Sequence, residues 1–190
     1  MRKSKLEAAE TRRRIIKAAS AEFRRNGIDT TGLSGVMSAA GLTHGGFYRH
    51  FDSKDQLVAE ACAAAMESTG QTNEALACDG DGKDALEAIV TNYLCPDHRD
   101  NLSEGCLLPG LGSELARSDD KIRAVATAGF LKVVDLVAKE YRRTKPRAAK
   151  ARALVAVSAM IGAVMMSRIV TDPELSTAIL HHTKKHLLDL

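Results

Sequence analysis

Apolar residues recur at helical spacing along almost the whole chain, and no segment alternates apolar and polar residues over a strand's length. Ile15, Ile16, Ala19 and Phe23 form one stripe, and Ala85, Leu86, Ile89, Val90, Tyr93 and Leu94 form a second. Ile122, Val125, Ala126, Phe130, Val133 and Val137 form a third. Spacings of three and four residues gather side chains on one face of an α-helix, so each stripe needs another helix to cover it. Four prolines in 190 residues leave these patterns unbroken over long runs. The reading is an all-α chain of about nine helices.

Charge is uneven. The chain carries a formal +3, yet residues 1–25 hold nine Lys/Arg against three Glu, so the body beyond them is slightly acidic. A uniformly basic protein is excluded; a basic end on a near-neutral body is not. Cys62, Cys78, Cys95 and Cys106 are spaced 16, 17 and 11 residues apart, unlike any C-x-x-C pair, and read as reduced thiols in a cytoplasm. The uncharged stretch Ala153–Ser167 is shorter than the ~18 residues of a membrane span and reads as a buried helix, so no membrane partner is expected.

Local signals set the boundaries. Gly27 suits a helix C-cap after a first helix from about Lys5, and two short segments, Leu33–Ala40 and His44–Phe51, flank Gly41-Leu42-Thr43. Ser53-Lys54-Asp55-Gln56 reads as a capping box opening a long helix. Asp79-Gly80-Asp81-Gly82 is a break, Pro96–Asn101 a loop, and 102–117 a broken helix interrupted by Gly105, Pro109, Gly110 and Gly112. Ser118, Lys145-Pro146 and Thr171-Asp172-Pro173-Glu174 start the last three helices.

The segment Gly27–Lys54 is the most informative. Two short helices joined by a tight glycine-containing turn make a helix-turn-helix, and the second is of a size to enter a DNA major groove. Val36, Ala39, Ala40, Leu42, Phe47 and Phe51 supply a small core. The rest of the second helix is polar and cationic, which ill suits interior filler.

Within it, Ala40-Gly41-Leu42-Thr43-His44-Gly45-Gly46-Phe47-Tyr48-Arg49-His50-Phe51, followed by Ser53-Lys54, resembles the tetracycline-repressor (TetR/AcrR) family of transcriptional regulators. The match in detail covers about residues 8–60; the remainder agrees in helical character and length. The resemblance implies an all-helical homodimer whose N-terminal three-helix bundle, residues 1–52, reads DNA, with residues 53–190 sensing a ligand and dimerising. It also implies that Tyr48, His50 and Lys54 clamp phosphates.

Physical roles stand beside that likeness. Thr31 and Thr43, near helix starts, can offer hydroxyls and amides to phosphates. His44 and Arg49 are candidates for base edges, and Gly45 leaves room for the backbone to approach. Lys54 sits at a helix N-terminus, where a cation is disfavoured unless an anion is near. Arg12-Arg13-Arg14 with Arg2, Lys3 and Lys5 reads either as an electrostatic companion to DNA or as a solvated face.

In the C-terminal part, Cys62, Met66, Tyr93, Cys106, Leu107, Leu111, Phe130, Val134 and Met160 are candidate walls of a cavity for a largely apolar effector, or else plain core. Ser158, Gly162 and Met166 recur every four residues and, with Ile179 and His182, mark a candidate dimer face. No cofactor, metal site or catalytic residue is expected: Cys95 with His98, and His182 with His186, are pairs only. The rival readings are a helical small-molecule-binding protein, a Cys106-dependent redox or electrophile sensor, and an enzyme using Cys106.

Overall fold

A computed structural model describes residues 5–79, 83–141 and 144–189. Arg2, Lys3 and the expected break at Gly80–Gly82 lie outside the described residues. Nine α-helices and one 3-10 segment follow one another, with no strand among the described residues: α1 Lys5–Asn26, α2 Leu33–Ala39, a recognition segment His44–Arg49, α3 Lys54–Asp79, α4 Lys83–Tyr93, α5 Pro96–Asp100, α6 Leu108–Arg117, α7 Asp120–Glu140, α8 Pro146–Ile169 and α9 Pro173–Leu188.

α1 buries Ile15, Ala19 and Phe23, one turn apart, against α2 and α3. α2 ends in a Schellman arrangement: Leu42 N donates to Met37 O at 2.8 Å, Gly41 N donates to Ser38 O at 2.9 Å, and Gly41 takes φ +67°. A side chain at Gly41 would be strained in that left-handed conformation. The capping box at α3 is present in shifted form. Gln56 N donates to Ser53 Oγ at 3.1 Å, while Gln56 Oε1 accepts from the amide of Asp52 at 2.7 Å.

α3 joins two hydrophobic cores. Its first half, with Leu57, Val58, Ala61, Cys62, Ala65 and Met66, packs into the N-terminal core, which α6 and the start of α7 also enter. The second core gathers α4, α7, α8 and α9 around Ile89, Val134, Val157, Met160, Val164 and Leu180. α3 crosses α7 closely because Gly129 has no side chain; a Cβ there would lie within 2.6 Å of Met66.

Several boundaries differ from the sequence reading. Residues 96–100 form a short helix, opened by Pro96 and capped by the Cys95 thiol accepting from His98 N. The break expected across 102–117 ends before Leu108: Pro109 sits in the first turn of α6, where its missing N–H costs nothing, and Gly110 and Gly112 are helical. The caps of α7 and α9 are Asp119 and Asp172, each one residue after the expected one; a carboxylate accepts the free amide better than a hydroxyl. α8 is also longer than its uncharged stretch, and by length and composition it could cross a membrane, at a mean hydropathy of 1.5. It packs on α6, α7 and α9 through Ala153, Ala156, Val157, Met160, Ala163 and Val164.

Candidate nucleic-acid interface

The recognition segment is held from one side. Phe47 is 0% exposed and stacks on Phe51 at 5.5 Å between ring centroids. Burying each ring supplies roughly 1.5–3 kcal/mol, enough to fix the segment's orientation. The opposite edge is free: Thr43, His44, Gly45, Tyr48 and Arg49 are all exposed. Tyr48 is 68% exposed, its ring set edge-on to Phe47 at 5.1 Å. A large aromatic presented to solvent and rigidly buttressed is placed to meet a partner.

The segment winds as a 3-10 helix, with Gly46 N donating to Thr43 O at 3.0 Å. The sequence reading expected a plain helix through Phe51. Two successive glycines, each about 1 kcal/mol less favourable than alanine in an α-helix, account for the tighter form. Thr43 occupies the N-cap position but makes no side-chain cap bond. Gly45 has nothing within 4 Å of where a Cβ would stand and has no positive φ. Intramolecular packing therefore does not demand glycine there.

Two residues expected to meet phosphates are engaged within the chain. Thr31 is 6% exposed and its hydroxyl donates to Gly27 O at 2.6 Å, so the loop after α1 consumes it. Lys54 is half-buried and its Nζ donates to Ile28 O at 2.7 Å. The misfit of a cation at the start of α3 is thus met by a carbonyl within the chain. His50 is half-buried, and its carbonyl accepts from Arg12 Nε at 3.2 Å.

The arginine run divides as the sequence could not resolve. Arg12 makes a two-pronged ion pair with Glu60 and lies over the Phe51 ring at 4.4 Å. Arg14 donates to Ala40 O at 2.6 Å, bracing the turn before the recognition segment. Arg13 and Lys5 are exposed. Sequence spacing alone had no means of separating these roles, because the partners are 26 to 48 residues away.

The far end of α1 is tied to the C-terminal body. Arg24 donates to Gly105 O at 2.8 Å and Arg25 to Ser103 Oγ at 2.7 Å. Glu114 on α6 accepts from the amides of Ile28 and Asp29 at 2.7 and 2.9 Å. No motif in the sequence marked Glu114.

Of the candidate cavity walls, Tyr93 and Cys106 border a cavity of about 250 Å³ between α3, α4 and the α5–α6 turn. Cys62, Met66, Leu107 and Leu111 are packed in the N-terminal core, and Val134 and Met160 in the C-terminal one, with Phe130 partly buried against it. These are core residues because their helices meet face to face, leaving them no open side. Cys106 is buried, and burial pushes its thiol up and keeps it protonated, which makes it a poor nucleophile. Of the candidate dimer residues, Ser158, Met166 and His182 are exposed, and Gly162 and Ile179 are half-buried.

A family model described as "Bacterial regulatory proteins, tetR family" matches residues 15–61, which run from α1 through the recognition segment into α3. A solved TetR transcriptional regulator from Chloroflexus aurantiacus superposes with a TM-score of 0.80 at 28% identity, covering 96% of this chain and 94% of that one. Residues 15–61 are thus similar to the tetR-family regulators, and the chain as a whole shares the fold of a TetR regulator. Among curated relatives, a probable HTH-type transcriptional regulator ArpR of Pseudomonas putida is 36% identical over 47% of this chain and 40% of its own length. The HTH-type transcriptional regulator TtgR, also of Pseudomonas putida, is 35% identical over the same shares. The chain thus covers less than half the length of these two relatives. Escherichia coli NemR in its reduced form shares the fold across 95% of this chain and 96% of its own, with a TM-score of 0.82 at 19% identity.

Proposed function

We propose that this protein is a DNA-binding transcriptional regulator, acting as a repressor that a small molecule releases from its operator. The observation that carries this reading is the two-faced recognition segment: Phe47 locked inward, and His44, Tyr48 and Arg49 presented outward. In that reading Arg49 and His44 address base edges, while Thr43, Tyr48 and the amides near Gly45 meet phosphates. Lys54 keeps a part through the ammonium protons that Ile28 O does not take, and His50, half-buried next to Arg49, joins it.

Operators of two-fold symmetry need two copies of the reader about 34–36 Å apart. The exposed apolar strip of α8, with Val155, Met166 and Ile169, supports a homodimer built on α8 and α9, with Ser158, Gly162, Ile179 and His182 along it. A regulator of this kind works where the DNA is, in the cytoplasm. Signal would pass from the C-terminal body to the reader through Arg24, Glu114 and the shared helix α3. A ligand moves this equilibrium only as far as it prefers one spacing of the two readers.

The test is a gel-shift titration with promoter DNA from the protein's own locus against scrambled DNA of equal length, across salt concentrations. Preference for the promoter, falling steeply with salt, is expected; equal affinity for both would overturn the reading.

A further inference from the structure

The 250 Å³ cavity bordered by Tyr93 and Cys106 is polar where an apolar wall was expected. Several of the polar groups around it are already paired. The hydroxyls of Thr69 and Thr72 donate to carbonyls one turn back along α3, each at 3.1 Å. His98 is fixed at both ring nitrogens: Nδ1 donates to Tyr93 O at 2.7 Å and Nε2 accepts from Cys106 N at 3.0 Å. Burial lowers its pKa, so this neutral tautomer is retained.

Two donors remain. Asn73 is 2% exposed and its Nδ2 has no hydrogen-bond partner; Tyr93 is 5% exposed and its hydroxyl has no nitrogen or oxygen partner, only the weak acceptor of the Cys106 thiol beside it. Both side chains border the same cavity. A buried donor without a partner costs about 1–3 kcal/mol, so two of them at one cavity favour an occupant that accepts hydrogen bonds. Burial also holds the Tyr93 phenol well above its usual pKa, so it stays a donor.

The cavity's charge selects further. No Lys or Arg borders it, and the carboxylate-bearing residues Asp97 and Glu104 on its lining are exposed. Arg168 and Arg24 lie behind the lining, but they are engaged by carbonyls of the chain, Arg168 by those of His98 and Arg99 and Arg24 by that of Gly105, so the exposed carboxylates set the charge at the mouth and disfavour anions there. At 250 Å³ the space is below the usual ~300–1,000 Å³ of ligand pockets, so its occupant is small.

We infer that this cavity binds a small uncharged molecule bearing a carbonyl-type oxygen, which accepts hydrogen bonds from Asn73 Nδ2 and Tyr93 Oη. Its consequence for DNA rests on the function proposed above: Gly105 borders the same cavity and its carbonyl holds Arg24 of α1, so an occupant there acts on the reader's tether. The binding itself does not depend on that function.

The probes are acetophenone, benzamide and methyl benzoate as neutral acceptors, with ethylbenzene and benzoate as apolar and anionic controls of similar shape. Thermal shift and ligand-observed NMR on the full chain, without DNA, should show the neutral acceptors binding and the two controls not. Tyr93→Phe and Asn73→Leu should each weaken that binding about tenfold, roughly one buried hydrogen bond, while the unliganded variants melt no lower than wild type. Neutral acceptors that bind no better than ethylbenzene, or a variant that melts lower without losing binding, would overturn the inference. A gel shift with the same probes is read separately: binding in solution without release of DNA would count against the tether, and no DNA binding at all against the proposed function alone.

Discussion

The carboxylate of Glu114, midway along α6, accepts a 2.7 Å hydrogen bond from the backbone amide of Ile28, just beyond the end of α1. The amide of Asp29 donates to the same oxygen at 2.9 Å. Two amide donors at the exit of α1 are thus satisfied by the body of the protein. Replacing Glu114 by Gln keeps the shape but removes the charge that strengthens both bonds. It should lower stability by about 1–2 kcal/mol. Chemical denaturation of wild type and variant checks this, and an unchanged midpoint would show that the contact is not a working tether.

Arg12 and Glu60 join α1 to α3 across the back of the recognition segment, both about one-third exposed. The Arg12 guanidinium holds the Glu60 carboxyl below its usual range, chiefly through their hydrogen bond. A depressed folded-state pKa contributes stability above the unfolded value near 4.5 and loses it as pH falls through the folded one. Exposure limits the pair to about 1 kcal/mol or less. Glu60→Gln should therefore melt lower than wild type at pH 7, with the gap closing on acidification below pH 4.5. A gap that stays constant from neutral to strongly acidic pH would contradict this.

Gly45 stands in open space with an ordinary φ. Gly45→Ala should fold as well as wild type or slightly better, by up to about 1 kcal/mol. If the backbone there approaches DNA, the added methyl should cut operator affinity tenfold or more. Melting and binding measured together separate these effects, and intact binding would remove Gly45 from the interface.

The four thiols should react in order of access. Cys78 is exposed and Cys95 half-exposed, whereas Cys62 and Cys106 are buried, and burial pushes the Cys62 thiol up to about 11. Iodoacetamide at mildly alkaline pH should label Cys78 first and leave Cys62 and Cys106 until the protein unfolds. Peptide mass spectrometry over time follows this, and rapid labelling of Cys106 in the folded protein would revive the reactive-thiol reading.

Much of the fold was legible because its signals are local. The Ile15-Ala19-Phe23 stripe, the Gly27 cap and the Ser53–Gln56 box each depend on residues within one or two turns, and the structure has all three. The inward Phe47 was equally readable, since a helix core has few ways to hide an aromatic. What escaped depends on distant partners. Lys54 and Thr31 have the composition of phosphate contacts, but carbonyls from the α1–α2 loop claim them. The apolar cavity list failed for a related reason: hydrophobicity marks what is buried, and only the crossing of helices decides which buried residues border a void. Asn73, a single polar residue on a long helix, carried no signal until its missing partner was visible.

The central claim is that the outward edge of His44–Arg49 reads bases, and operator discrimination by Arg49→Ala tests it most directly. Fluorescence anisotropy at fixed salt gives the ratio of affinities for the operator and for a scrambled duplex. Loss of about 1–3 kcal/mol of that discrimination, with binding to scrambled DNA little changed, is the expected result. Discrimination equal to wild type would contradict it.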